Sequence, residues 1–200
     1  MTSDAAKTYR QKLKNERRRR SEAIKGFEYA VRIGNGDRLG PVLSALAATK
    51  GYPGAFRRVR GTDAPIPFRE GFLGYWAHDG EHIRGQINDD LLLIDALKGL
   101  LPPYAGPDME LWRGESHFAW ARRRYGLSWT SDREVATDFA RMNQQWTEKG
   151  GVLLQARVPS AAIIAHVSDF GEEEYLVDRR LLPRPIVVAA RYLRPAGGAL

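Results

Sequence analysis

Residues 108–115 read Asp-Met-Glu-Leu-Trp-Arg-Gly-Glu, and the grammar of the chain changes across them. Downstream, apolar residues come in short runs bounded by turn formers, the pattern of β-strands. Strands are expected over 110–115, 151–158, 162–167, 174–178 and 185–193, with the strongest alternation in 151–158 and one helix over 134–146. The acidic run 169–173 falls in a loop between two of these strands. Upstream, the pattern is helical. Residues 4–33 have no Pro, no Gly before Gly26 and many Ala, Lys, Arg, Gln and Glu, all good helix formers, and predict one helix or two. Its first half is polar on nearly every face, whereas Ile24, Phe27, Tyr29, Ala30, Val31 and Ile33 offer the second half something to bury.

Pro41 opens a short helix with Val42, Leu43, Leu46 and Ala47 inward. Residues 51–86, dense in Gly, Pro and aromatics, show no clean period and read as irregular. Residues 88–101 read as a helix, with Asp89 and Asp90 at its positive end and Pro102 and Pro103 beyond its last turn. The expected architecture is α+β, helices first and a mostly antiparallel sheet after. It divides into a basic helical tail (1–34), a helical and irregular part (35–107) and a β-rich core (108–200).

Composition narrows the class. Two hundred residues suffice to bury a core without a disulfide or metal, and the absence of cysteine excludes disulfide scaffolds, thiolate zinc sites and cysteine nucleophiles. No run approaches the length of a membrane span and the N-terminus has no apolar signal core, so a cytoplasmic protein that does not enter membranes is expected. The net charge of +7 is unevenly distributed: residues 1–25 contain nine Lys or Arg against three acids, and the remainder is close to neutral. The basicity belongs to the tail.

Four histidines are the first candidates for chemistry. His78 and His82 stand four apart in His-Asp-Gly-Glu-His, but Gly80 is expected to break a helix there and the Glu is misplaced for a zinc motif, so they read as loop residues and no metal is expected. His117 and His166 have no spaced partner. Three other stretches form a better constellation. Leu111-Trp112-Arg113-Gly114-Glu115 ends a strand in an arginine, whose fork of donors suits a diphosphate, and a glycine that lets a ligand approach the backbone. Gly126-Leu127-Ser128-Trp129-Thr130-Ser131-Asp132 puts hydroxyls on a strand directly before a helix, where Thr130, Ser131 or Asp132 also suits a helix cap. Asp169-Phe170-Gly171-Glu172-Glu173-Glu174-Tyr175 starts a strand on acids, and alternation sets Glu172 and Glu174 on one side, a device for stabilising a cation.

In order and spacing, with 15 residues from Arg113 to Ser128 and 46 from Ser128 to Glu174, this triple resembles the mono-ADP-ribosyltransferases of the arginine-serine-glutamate class, which include bacterial toxins and phage-encoded enzymes. The resemblance covers about residues 110–194 and leaves the first hundred unmatched. It implies a split antiparallel β-sandwich and NAD as the substrate. Arg113 then holds the NAD diphosphate or ribose, and the Gly114 backbone holds the nicotinamide amide. Ser128 supports the nicotinamide ribose and orders the catalytic Glu174; Thr130 keeps the hydroxyl of the motif's last serine, and Trp129 replaces its middle threonine. Glu172 is the upstream member of the glutamate pair, the position that goes with arginine acceptors, and Phe170 touches the acceptor. Glu173 would break the two-residue spacing.

The resemblance thus implies transfer of ADP-ribose to a macromolecule, protein arginine favoured, with NAD hydrolysis as a side activity and a neutralising partner for an intracellular toxin. Two alternatives stay open. In one the acceptor is RNA or DNA, tracked by Lys12, Lys14 and Arg17 to Arg20. In the other the protein is a non-catalytic binding module with a basic tail.

Overall fold

The computed structural model describes residues 3–37, 39–146, 150–169 and 172–192. The chain forms two compact units that meet in sequence at Pro102 and Pro103, five residues before the boundary expected from the change of grammar.

The first unit is all helical: α1 (Ser3–Ile33), α2 (Leu39–Thr49), α3 (Tyr52–Val59), α4 (Ile66–Ile87) and α5 (Asp90–Leu100). The long polar stretch is one helix, but its inward stripe is narrower than expected. Ala23, Phe27, Ala30 and Val31 are buried at successive helical intervals, whereas Tyr29 and Ile33 fall off that stripe and are half exposed. Phe27 sits at the centre of an aromatic cluster, stacked on Phe56 at 5.8 Å and edge-on to Phe68 at 5.9 Å, with Phe68 in turn stacked on Phe72 at 5.7 Å. Helix α1 therefore belongs to the same core as α3 and α4 and is not a separate tail. In α2, Leu39, Leu43 and Leu46 are the buried residues, with Val42 and Ala47 only half buried.

The expectation of irregular structure over 51–86 is wrong. Two helices occupy most of it, and Phe68, Phe72, Trp76, Gly80, Ile83 and Ile87 line the buried side of α4 at helical spacing. Glycine disfavours helix in isolation, but burial of large rings outweighs that preference. Gly71 is also required for contact: a Cβ there would lie 2.5–2.7 Å from the backbone of Gly36 in the α1–α2 turn. His78 and His82 are consequently helical, not loop residues. His78 Nδ1 is 2.9 Å from the Gly74 carbonyl, and His82 Nε2 is 2.8 Å from Gln86 Nε2. The α5 start follows expectation, with the Asp89 carboxylate accepting from the Leu92 amide at 3.1 Å.

The second unit is a six-stranded antiparallel sheet with helices: β1 (Met109–Ser116), α6 (His117–Ala121), β2 (Ser128–Thr130), α7 (Arg133–Trp146), β3 (Gly151–Val158), β4 (Ile163–Asp169), β5 (Glu172–Val177) and β6 (Ile186–Tyr192). A 3-10 turn, Ser160–Ala162, links β3 to β4. Spatial order is β4-β5-β2-β1-β3-β6. One sheet face carries the core, with Leu111, Trp129, Leu154, Val158, Tyr175 and Val177 in a single cluster. Helix α7 covers part of the other face, its fully buried Ala136 and Ala140 against Gly114 and Gly151. Among the described residues, no helix is long and apolar enough to cross a membrane.

Candidate functional site

The sheet is narrowest between β1 and β2. Eight residue pairs join β1 to β3, but only Trp112 and Thr130 are matched between β1 and β2. Side chains close what the backbone leaves apart. Arg113 and Glu115, two apart and so on the same side of β1, form a largely buried ion pair, Nε to Oε2 at 2.9 Å. The Arg113 Nη1 donates to the Ser128 carbonyl of β2, and the same Glu115 Oε2 accepts from the Gly126 amide at 3.1 Å. Glu115 Oε1 takes the Ser116 amide at 2.9 Å, so this carboxylate, 8% exposed, meets three donors. Gly126 makes room for the arrangement, because a Cβ on it would lie 2.1 Å from Arg113 Nη2.

Strand β2 is held on its other side by β5, with Ser128 opposite Leu176, Trp129 opposite Tyr175 and Thr130 opposite Glu174. Residues directly opposite in an antiparallel pair point to the same face. Trp129 and Tyr175 therefore enter the core together, and both are buried. Ser128, Thr130 and Glu174 share the other face and are half buried. Trp112, opposite Thr130 on β1, joins them there, with the Arg133 guanidinium 5.3 Å from its ring centre. Glu174 is also opposite the buried Val167 of β4. Trp129 is thus a core residue facing away from the hydroxyls, and its buried indole N–H has no hydrogen-bond partner among the described residues.

The structure brings Glu174 together with Ser128 and Thr130, 46 and 44 residues before it in sequence. It sets Arg113 on the opposite face, where the guanidinium grips the edge of β2 from behind. Gly114 lies on the hydroxyl face, but there it is covered by α7: a Cβ would lie 2.2 Å from the Ala136 carbonyl oxygen and from the Ala140 amide nitrogen. Close approach at this glycine is by a helix backbone. Glu172 begins β5 opposite Asp169, two residues ahead of Glu174. Phe170 lies outside the described residues.

The hydroxyl run also has the local duty its position suggests. Asp132 caps α7, its Oδ1 accepting from the Glu134 amide at 2.7 Å and the Val135 amide at 3.3 Å, while Thr130 Oγ1 accepts from the Asp132 amide at 3.0 Å. On the core face of β5, Glu173 pairs with His166 at 2.5 Å, and the His166 ring stacks on Tyr175 at 4.5 Å. Burial, reinforced by Glu173 and Tyr104 and opposed by a hydrogen bond with Ser131, raises the Tyr175 phenol above its usual value of 10.0.

Glu115 is the site residue that sequence reading passes over. Its one available signal is an acid two residues from an arginine within an otherwise apolar strand. Compared with known proteins, the chain matches no family model, no curated protein and no solved structure.

Proposed function

We propose that residues 103–200 form a NAD-dependent mono-ADP-ribosyltransferase that transfers ADP-ribose to a macromolecular acceptor, protein arginine first. One observation carries the reading: the strands bearing the three motifs, separated by up to 61 residues from Arg113 to Glu174, are consecutive in the sheet as β1, β2 and β5. With them come Ser128, Thr130 and Glu174 on one face, and a strand join held by side chains more than by backbone. A split β-sandwich would part at that join, whereas here the six strands run as one continuous sheet across it.

In this reading NAD lies against the Ser128, Thr130 and Glu174 face. Breaking the bond from ribose C1′ to the nicotinamide nitrogen leaves its electron pair on nicotinamide and positive charge on the ribose. The Glu174 carboxylate, accepting from a ribose hydroxyl, stabilises that oxocarbenium-like state, and a preorganised group of this kind is worth about 3 kcal/mol of barrier or more. Ser128 positions the ribose and Glu174. Thr130 keeps its hydroxyl beside Glu174, and Trp112 supplies an aromatic wall. Arg113, on the other face of the sheet, serves the site by holding β2 through the Ser128 carbonyl and does not itself reach a NAD seated on the hydroxyl face. Gly114, covered by α7, takes no part in holding the nicotinamide amide. The acceptor nitrogen attacks C1′ from the opposite face and loses its proton to Glu172, with Phe170 against the acceptor.

The experiment is transfer of label from adenine-labelled NAD into macromolecules of a cell lysate, wild type beside Glu174→Gln, each sample split between protease and nuclease. Protease-sensitive label with wild type alone, together with nicotinamide release, is the expected result. Nuclease-sensitive label replaces the arginine acceptor with nucleic acid. Neither label nor nicotinamide from the folded wild-type protein overturns the enzyme reading in favour of a binding module. Any neutralising partner would have to cover this same face.

A further inference from the structure

Helix α1 concentrates six of its ten Lys and Arg on one face, with Arg18 at its rim and Lys12, Arg19 and Arg20 outside it. Lys7, Arg10, Lys14, Arg17, Lys25 and Arg32 are separated by three, four, three, eight and seven residues. At 3.6 residues per turn they fall within about a quarter of the helix circumference. All six are exposed. The buried residues Ala23, Phe27, Ala30 and Val31 lie on the opposite side, as Lys25, two positions from both Ala23 and Phe27, makes plain. The only acid of α1 inside that quarter is Glu28, which is paired with Arg58 at 3.1 Å. Arg18, at the rim, is 3.8 Å from Glu22. Tyr29, 54% exposed, borders the face with the Arg32 guanidinium 5.4 Å from its ring centre.

None of residues 5–22 is buried, so this part of the helix is not retained by its contribution to a core. A helix loaded with like charges opposes its own formation, since repulsion between neighbours three and four apart destabilises it. A polyanion removes that repulsion. From Lys7 to Arg32 the rise is about 37 Å, and a nucleic-acid duplex presents one phosphate charge for about every 1.7 Å of its axis over such a length. A small anion would engage one or two of these side chains; a phosphodiester backbone offers charge over the whole length of the face.

We infer that the outer face of α1 is a docking surface for the phosphodiester backbone of nucleic acid, read through charge and not through base sequence. The inference does not rest on the transferase reading, because binding needs neither NAD nor Glu174.

The test uses the full chain and fluorescein-labelled 20-base-pair duplexes, DNA and RNA in parallel arms, with anisotropy followed across a salt series. Two double variants remove equal charge from neighbouring turns: Lys14→Gln with Arg17→Gln on the face, and Lys12→Gln with Arg19→Gln off it. Six phosphate contacts predict a log–log salt slope of about −5 and a loss of roughly 10³-fold in affinity between 50 and 200 mM salt. The on-face pair is expected to reduce the slope by about 2 and weaken binding by about tenfold or more, while the off-face pair stays within about twofold of wild type. Lys14→Arg with Arg17→Lys must bind like wild type, which separates charge from helix integrity. Equal losses from both glutamine pairs overturn the inference, as does absence of binding at 50 mM salt. Capture by phosphatidylserine vesicles that duplex fails to compete away overturns it in favour of a membrane surface.

Discussion

Glu115 and Arg113 carry much of the stress at the centre of the second unit. The Glu115 carboxylate is removed from water and compensated by one guanidinium and two backbone amides. Removing one partner of a buried pair leaves the other desolvated and unpaired, which typically costs about 3–5 kcal/mol. Glu115→Ala is therefore expected to lower the unfolding free energy by about 3 kcal/mol in urea titration, and Arg113→Lys to be more damaging than a like-charge exchange suggests, because an ammonium cannot span Glu115 and Ser128 together. Gly114→Ala is expected to cost about 1–3 kcal/mol by pressing α7 off the sheet, measurable in the same titration. At this scale the sequence was half legible. Arg113, Ser128, Thr130 and Glu174 were visible as types at a spacing, but which face each occupies depends on register. One residue of strand slip would exchange the Ser128 side for the Trp129 side.

Elements were legible where local chemistry and burial agree, as in α5 with its aspartate cap and in β3 with its alternation. Helix α7 starts beside the Thr130–Asp132 run, in which Asp132 is the residue that caps it, and Asp132→Ala is expected to cost about 1 kcal/mol, read as a lower thermal midpoint without loss of the sheet. Helices α3 and α4 were not legible, because Gly and Pro mask their buried stripes, four residues in α3 and six in α4, which are stabilised largely by rings on other helices. In that core Tyr52 donates its hydroxyl to the Leu43 carbonyl at 3.1 Å, and burial, aided by Asp79, pushes its phenol up to about 12. The folded state then holds a proton that the unfolded chain releases near pH 10. Stability is fully present below pH 10 and falls from there toward pH 12, by about 1.4 kcal/mol per pH unit from this group. Tyr52→Phe is expected to flatten that part of the pH–stability curve and to cost about 1 kcal/mol at neutral pH.

For the whole molecule, the division at Pro102 and Pro103 gives each unit its own core: an aromatic cluster among helices in one, a sheet face in the other. Residues 5–19 of α1 contribute no buried side chain to either, and Arg20 donates to the Thr49 carbonyl at 2.7 Å. Deleting residues 1–19 is expected to leave the thermal midpoint within about 1 °C and NAD hydrolysis unchanged, while affinity for duplex falls with the loss of Lys7, Arg10, Lys14 and Arg17. Equal loss of stability and hydrolysis would make the segment part of the fold.

By itself the sequence determined the α+β class, the order of helices before strands, the aspartates at the start of α5 and the asymmetry of charge. These follow from composition, periodicity and chemistry between residues a few positions apart. Tertiary structure alone decided that α3 and α4 are helices, that β5, β2 and β1 are neighbours, that Glu174 faces Thr130 while Arg113 lies behind them, and that Glu115 closes the strand join. Those outcomes depend on contacts between residues tens of positions apart, where burial and strand register outweigh local preference.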